Sequence, residues 1–130
     1  MRTEPIYALG LGCERGCDPQ EMFALTRDVL SAAGIAGMDL AGVYSIDQRQ
    51  NEPAIIQVAT KFGLRFECFS AEDLEEQTPH LLNPSERVFE LVGCHGVAES
   101  AALAALRPDG VLVVGKTKSA HATAALAVKR

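Results

Sequence analysis

Three glycine-bearing segments carry most of the side chains in this sequence that suit ligand chemistry. The first spans 10–16, the second spans 93–96 and the third spans 115–119. Glycine lets a backbone approach a ligand closely, and free amides at helix N-termini attract anions. In an open α/β sheet, ligands bind beyond the carboxyl ends of the strands. We therefore expect the three segments to lie on one rim of a sheet and to form a binding site there.

Basic and polar side chains concentrate in the third segment, although 12 basic and 17 acidic residues give the chain a formal net charge of −5. Lys116 and Lys118 are followed by Ser119, His121 and Thr123, which add hydroxyl and imidazole groups directly after a predicted strand. Such a set suits a ligand that bears several carboxylates. The structural alternative is a solvated surface loop.

Acidic and basic side chains also alternate after another predicted strand, at Asp47, Arg49 and Glu52. Arg49 can bind an anionic group while Asp47 or Glu52 acts as an acid, a base or an orienting partner. The alternative is a turn capped by Asp47, with a weak ion pair between Arg49 and Glu52. Glu99 is either a catalytic group or a charge that complements a helix dipole. Cys13 is a potential nucleophile, but a packed small residue is the better interpretation because no histidine lies nearby in the sequence.

The spacing of these residues matches no standard nucleotide or metal motif. Gly10, Gly12 and Gly16 are spaced differently from a dinucleotide fingerprint, and 115–119 lacks the spacing of a P-loop. The possible metal ligands lie on three separate segments and follow no standard zinc pattern; they are Cys13, Cys17, Cys94, His95 and His121. The sequence therefore predicts neither a metal nor a cofactor.

Strands alternate with helices along the chain. Hydrophobic patterning predicts strands over 6–10, 40–46, 64–69 and 111–114, of which the third is half-buried near an edge and the fourth is buried. Helices are predicted after Asp18, after Glu52, from Ser70 through Gln77, and over 97–106, and Glu21 is expected to complete a capping box. The segment 116–121 reads as a polar loop and 123–128 as a strand or a short helix. This order predicts a single α/β domain, a three-layer α/β/α sandwich with a mainly parallel or mixed sheet.

The composition also limits the setting in which the protein works. No apolar run reaches the ~18 residues that a membrane span needs, and the first apolar stretch, 6–11, is too short for a secretory signal. The four cysteines are expected to be free thiols, as in a reducing compartment. We therefore expect a cytoplasmic protein without membrane association. Its negative charge argues against nucleic-acid binding.

Four segments, in this order, carry a resemblance to a known family. They read GLGCERG at 10–16, SIDQRQNE at 45–52, GCHGVAESAA at 93–102, and GKTKS at 115–119 with ATAALA at 122–127. Through these segments the sequence resembles, over nearly its whole length, the cobalamin biosynthesis family formed by CobE and the C-terminal domain of CbiG. The chain departs from that pattern at three places. Glu14-Arg15 replaces two basic residues, Arg49 replaces a lysine, and His95 replaces a small residue.

The resemblance implies a role in building the corrin ring. CbiG proteins open a lactone of a cobalt-precorrin and carry an additional N-terminal region, whereas a chain of 130 residues resembles the stand-alone members of the aerobic route. Precorrin and hydrogenobyrinic-acid-like tetrapyrroles carry acetate and propionate groups around a flat apolar ring. We therefore expect Arg15, Arg49, Lys116 and Lys118 to pair with carboxylates of such an intermediate.

Three functions stay open at this point. The first is a protein that binds or carries the tetrapyrrole, and the second is a lactone hydrolase in which Asp47 or Glu99 activates water. The third is a non-catalytic partner of other cobalamin pathway enzymes. The predicted ligand-binding residues are Gly10, Gly12, Cys13, Arg15, Gly16, Arg49, Glu52, Gly93, Gly96, Lys116, Lys118, Ser119 and Thr123.

Overall fold

A mixed sheet of five strands forms the centre of the computed structural model, which describes residues 4–130. The strands are β1 (Ile6–Cys13), β2 (Leu40–Ile46), β3 (Phe66–Phe69), β4 (Val111–Lys118) and β5 (Ala122–Lys129). Their order across the sheet is β3-β2-β1-β5-β4. β1 and β3 run parallel to β2, whereas β5 is antiparallel to both β1 and β4. The carboxyl ends of β1, β2, β3 and β4 therefore share one edge with the start of β5.

Helices cover both faces of the sheet in the described part of the chain. They are α1 (Pro19–Ala33), α2 (Pro53–Phe62), α3 (Ala71–Glu75), α4 (Glu86–Val92) and α5 (Ala98–Ala105). α1 and α2 share a core with Leu9 and Leu11 of β1, whereas α5 packs with Ala8 in a second core. Successive residues of a strand point to opposite faces, so β1 contributes to both cores. The predicted three-layer α/β/α sandwich is confirmed, and its sheet is mixed.

The two long helices begin and end where local signals predict. The side chain of Asp18 accepts a hydrogen bond from the backbone N–H of Gln20 at 2.9 Å, and Pro19 opens α1. Gly34 and Gly63 end α1 and α2 with φ angles of 69° and 67°, which glycine adopts without a steric penalty. The predicted capping box is wrong, because the carboxylate of Glu21 turns away from its own helix toward the β4–β5 turn at 119–121.

The first strand is longer than predicted and includes part of the first glycine segment. β1 continues to Cys13, so Gly10 and Gly12 lie within a strand. A Cβ atom at Gly10 would collide with the carbonyl oxygen of Ala98 in α5. The absence of a side chain at Gly10 therefore allows α5 to pack closely against the sheet.

The last two strands differ from their predictions in burial and in extent. The strand predicted at 111–114 is confirmed. Its predicted burial is wrong, because β4 is an edge strand in which Val111 and Val113 are 57% and 42% exposed. The strand also extends through the first half of the predicted polar loop, as far as Lys118. The ambiguous segment 123–128 lies in β5, which is the buried strand between β1 and β4.

Three shorter elements differ in extent from their predictions. β3 is an edge strand as predicted but starts at Phe66, and α3 ends at Glu75. Residues 88–92, which the hydrophobic pattern leaves unassigned, belong to α4.

Candidate functional site

A cleft of about 420 Å³ opens at the edge of the sheet where β1, β2 and β4 end. Its walls come from the end of β1, the turn after β2, α4, the start of α5, and the β4–β5 turn. The three predicted segments meet here, because Gly12, Cys13, Gly96, Lys116 and Lys118 all line the cleft. The topology explains this, since strands that point the same way deliver their following loops to one edge.

The cleft combines positive charge with apolar surface. Its cations are Arg49, Arg87, Lys116 and Lys118, and its aliphatic side chains are Ile46, Val88, Leu91, Val92 and Val97. None of these four cations forms a salt bridge with a carboxylate of residues 4–130. Their charge is therefore available to an anionic ligand.

Backbone carbonyl groups hold Arg49 in place. Its Nε donates to the carbonyl oxygen of Cys13 at 2.7 Å, and its Nη1 donates to the carbonyl oxygen of Gln48 at 3.3 Å. The ion pair with Glu52, considered above as the structural alternative, does not form. Neutral carbonyl partners orient the guanidinium group while leaving its charge uncompensated.

A buried carboxylate positions the strand that carries the two lysines. Glu99 in α5 is 2% exposed, and its Oε2 accepts a hydrogen bond from the backbone N–H of Lys116 at 2.8 Å. Three further donors bind the same carboxylate: the backbone N–H of Leu82, the backbone N–H of Asn83 and the amide Nδ2 of Asn83, at 3.0, 3.0 and 2.8 Å. Glu99 is thus surrounded by protein donors, and this geometry gives it a positioning role.

A separate small pocket of about 280 Å³ contains three other predicted residues, Arg15, Asp47 and Glu52. The rest of its lining is Gln48, Gln50 and Asn51. Asp47 is exposed there, outside the cleft. Glu52 is buried, and its Oε2 accepts a hydrogen bond from the backbone N–H of Gly16 at 3.2 Å. Because Gly16 has a φ of 78°, this contact holds a turn that favours glycine.

The remaining predicted residues differ in how close they lie to the cleft. Thr123 lines it and donates from Oγ1 to the carbonyl oxygen of Gly12 at 3.4 Å. Ser119 lines it too, with its hydroxyl group bound to Glu21. Gly93, with a φ of 88°, ends α4. Gly10 lies beneath α5, away from the cleft.

The thiol of Cys13 is poorly suited to nucleophilic chemistry. Burial, and next the negative charge of Glu52, raise the pKa of Cys13 to about 12. At neutral pH the group is therefore a thiol and not the reactive thiolate. All four cysteines are free, and Cys13 lies at the cleft wall as a small apolar side chain.

The sequence predictions missed the contribution of α4. Its Arg87, Val88 and Leu91 line one wall of the cleft, and Leu91 is 68% exposed. The sequence signal that marks the start of α4 is its N-cap, Ser85. The hydroxyl group of Ser85 accepts a hydrogen bond from the backbone N–H of Val88 at 3.2 Å. This contact resembles the start of the better-marked helices.

His95 connects α4 to its neighbours. Its Nδ1 lies 2.8 Å from Oε2 of Glu75, and its Nε2 lies 3.3 Å from Oε1 of Glu86. The ring also stacks on Phe89, with centroids 4.4 Å apart. His95 therefore ties the cleft wall to α3.

His121 is grouped with Ser119 and Thr123 in the sequence analysis but is not among the predicted ligand-binding residues. It lines the cleft from the β4–β5 turn and contacts Glu21 of α1.

Within residues 4–130, no group of three or more histidine, cysteine or acidic side chains is arranged to hold a metal ion. No helix in that same range has the length and apolar character needed to cross a bilayer.

Residues 7–127 match the sequence family described as the cobalamin synthesis G C-terminus. Protein CobE of Sinorhizobium sp is 50% identical over 119 residues, which cover 92% of this chain and 77% of that protein. A crystal structure of CobE, described as a protein from the cobalamin (vitamin B12) biosynthetic pathway, has 30% identity and a TM-score of 0.91. That match covers 100% of this chain and 94% of the other.

A longer relative is the cobalt-precorrin-5A hydrolase of Priestia megaterium, which is 28% identical over 123 residues. The matched segment covers 95% of this chain but 32% of that hydrolase. The chain thus corresponds to about a third of the length of this relative.

Proposed function

The chain belongs to the cobalamin synthesis G C-terminus family, and on that premise we propose that its cleft binds a polycarboxylate tetrapyrrole intermediate of cobalamin biosynthesis. The ligand class is a precorrin or a hydrogenobyrinic-acid-like corrin. One observation carries the proposal: four cations that have no carboxylate partner among residues 4–130 line a cleft with an aliphatic wall, in a protein of net charge −5.

Charge supports this ligand class. Arg49 lies in the turn after β2, whereas Lys116 and Lys118 lie on β4, so positive charge reaches the cleft from two different elements. A ring with carboxylates on several side chains can pair with such charges simultaneously, whereas a ligand with a single carboxylate uses only one of them. Arginine pairs with a carboxylate through two parallel hydrogen bonds, and lysine acts as a point charge.

The apolar wall supports a ligand with a flat hydrocarbon surface. Val88, Leu91 and Val92 of α4 stand on the side of the cleft formed with Val97. Burying their exposed surface against a ring contributes roughly 25 cal/mol per Å². Leu91 is 68% exposed, and contact of a large apolar side chain with water is unfavourable. A bound ring would cover part of this apolar surface.

The direct experiment is a titration of the protein with hydrogenobyrinic acid, followed by the visible absorbance of the corrin. We expect saturable binding that weakens as salt is added, because screening reduces the attraction between separated charges. A corrin whose side chains are all amides is the matched ligand control. Equal affinity for the acid and the amide, or no binding of the acid at low salt, would contradict the proposal.

A second candidate is hydrolysis of a lactone in the bound ring. The named activity of the Priestia relative favours it, although this chain spans 32% of that protein. The two predicted catalytic carboxylates give this candidate little support, because Glu99 already accepts four hydrogen bonds and Asp47 lies outside the cleft. Hydrolysis therefore needs another proton-transfer group that faces the ligand.

If the protein is instead a non-catalytic partner of other cobalamin pathway enzymes, it would co-purify with one of them without affinity for the corrin. The same titration separates this possibility from tetrapyrrole binding.

A further inference from the structure

His121 and Glu21 form a hydrogen-bonded pair at the mouth of the cleft. Nδ1 of His121 lies 3.0 Å from Oε1 of Glu21, although the two residues are 100 positions apart in the chain. His121 lies in the turn between β4 and β5, and Glu21 lies in the first turn of α1. The imidazole side chain is 58% exposed, so a ligand in the cleft can reach it.

The carboxylate of Glu21 is held in one orientation by several donors. Its Oε2 accepts hydrogen bonds from the Ser119 hydroxyl and, at 2.6 Å, from the backbone N–H of His121. These hydrogen bonds, with that from the imidazole, lower the pKa of Glu21 to about 2. Glu21 is therefore ionised at neutral pH and accepts the Nδ1–H of His121.

This arrangement determines which nitrogen of the neutral imidazole ring carries the proton. When Nδ1–H donates to Glu21, the neutral ring carries its lone pair on Nε2. The charged groups around the imidazole are Glu21 from α1, Glu14 after β1 and Lys118 at the end of β4. Nε2 lies 3.9 Å from Oε2 of Glu14, which is beyond hydrogen-bond distance. The hydrogen bond and the charge of Glu21 raise the pKa of His121 above 6.5.

No other side chain that lines the cleft from residues 4–130 combines both proton-transfer roles near neutral pH. The lysines and arginines supply fixed positive charge, and the pKa of Cys13 is about 12. Carboxyl groups are in general bases but poor acids at that pH. Imidazole both accepts and donates a proton there.

We propose that His121, oriented by Glu21, is the proton-transfer group for hydrolysis of a lactone or ester carbonyl on the tetrapyrrole held in the cleft. The inference rests on the proposed binding function and supplies the catalytic group that Asp47 and Glu99 do not. His121 is the catalytic residue in this proposal, and Glu21 is a positioning residue.

The step consumes one water molecule. Nε2 removes a proton from water as the water oxygen forms a bond to the carbonyl carbon, and the carbonyl oxygen becomes an oxyanion. Lys116 and Lys118, on the strand that leads into His121, supply positive charge for that oxyanion. When the tetrahedral intermediate collapses, the bond to the alkoxy oxygen breaks, and that oxygen takes the proton from the imidazolium. The products are a carboxylic acid and an alcohol, and the imidazole is neutral again.

The test uses the full chain and a lactone derivative of hydrogenobyrinic acid as the probe. Binding is measured by corrin absorbance, and ring opening is measured by mass spectrometry as the gain of one water. The variants are His121→Gln, which removes the base, and Glu21→Gln, which removes the orienting charge. His80→Gln is the matched control, because His80 is exposed and lies outside the cleft.

We expect the wild type and His80→Gln to open the lactone, and His121→Gln to open it about 100-fold more slowly with binding retained. Glu21→Gln should shift the midpoint of the pH–rate profile to lower pH, because the carboxylate that raises the pKa of His121 is gone. An NMR titration of the imidazole in wild type and Glu21→Gln measures the same shift without relying on activity.

Each result decides between the two proposals. Lactone bound but not opened by the wild type, or opened equally fast by His121→Gln, would overturn the catalytic inference and leave tetrapyrrole binding intact. No affinity for either hydrogenobyrinic acid or its lactone would overturn the binding function itself. An unshifted imidazole titration in Glu21→Gln would refute the role of Glu21.

Discussion

The carboxylate of Glu99 binds the backbone N–H of Lys116 at 2.8 Å, at a point where β4 slips its register against β5. The irregularity lies between Val114 and Thr117, so an extra residue of β4 bulges out of the ladder there. The N–H of Lys116 thus finds its partner in α5. A helix on one face of the sheet thereby determines how an edge strand presents a lysine to the cleft.

Replacing Glu99 with glutamine is expected to destabilise the fold. Each carboxylate oxygen accepts two hydrogen bonds, so the amide group would face two donors whichever way it is turned. We expect a loss of about 2 kcal/mol in the free energy of unfolding, measured with urea. Faster hydrogen exchange at the Lys116 amide should accompany it. Glu76→Gln, at an exposed position, is the control, and equal stability of both variants would refute the positioning role.

Removing both cleft lysines is expected to weaken corrin binding and its salt dependence together. Lys116→Ala with Lys118→Ala takes two positive charges from the cleft, whereas Lys61→Ala with Lys129→Ala takes two from positions outside it. Both pairs change the net charge from −5 to −7, since −5 − 2 = −7. Only the cleft pair should flatten a plot of hydrogenobyrinic acid affinity against salt concentration. If both pairs behave alike, general charge and not the cleft governs binding.

A methyl group at Gly10 should be far more damaging than one at Gly16. In Gly10→Ala the new Cβ meets the backbone of α5, which cannot move without shifting the helix. We expect about 3 kcal/mol of destabilisation or failure to fold. Gly16 has no atom within 4 Å of such a Cβ, so Gly16→Ala carries mainly the conformational penalty of its φ of 78°, about 1 kcal/mol. Thermal unfolding of both variants tests this, and similar losses would contradict the packing role of Gly10.

Alkylation of Cys13 by iodoacetamide at about pH 8 is expected to be much slower than that of free cysteine. The reason is its pKa of about 12, which leaves little thiolate at that pH. Peptide mass spectrometry measures the labelling, and the same reaction in concentrated urea is the control because unfolding exposes the thiol. Rapid labelling of the native protein would restore Cys13 as a candidate nucleophile.

The attachment of the β4–β5 turn to α1 should depend on pH in both directions. The pKa of Glu21 is lowered from 4.5 to about 2, so its stabilising contribution is complete above about pH 4.5 and is lost as the pH falls toward 2. The pKa of His121 is raised, so its contribution is complete below about pH 6.5 and is lost as the pH rises through its folded value. The protection factors of the amides at 119–121, which correct the exchange rates for their intrinsic pH dependence, should therefore be highest between these limits. A similar profile in Glu21→Gln would show that another contact holds the turn.

Local signals in the sequence determine where several elements begin and end. Asp18, Pro19 and Gly34 delimit α1, and β2 spans the predicted residues 40–46. Capping and hydrophobic period involve residues within a few positions of one another, so they can be identified without knowing the fold. The family motifs likewise include Gly12, Lys116, Lys118 and Thr123 in the predicted site, and these four residues line the cleft, whereas Gly10, Arg15 and Glu52 lie outside it.

The tertiary structure alone decides which strand is buried and which groups face each other. An apolar run at 111–114 suits an edge or a central strand equally, and the choice depends on β5 folding back between β1 and β4. The pairs Glu99–Lys116 and Glu21–His121 join residues 17 and 100 positions apart. Sequence spacing carries no information about such pairs, because the order of the strands and the packing of α1 and α5 bring them together.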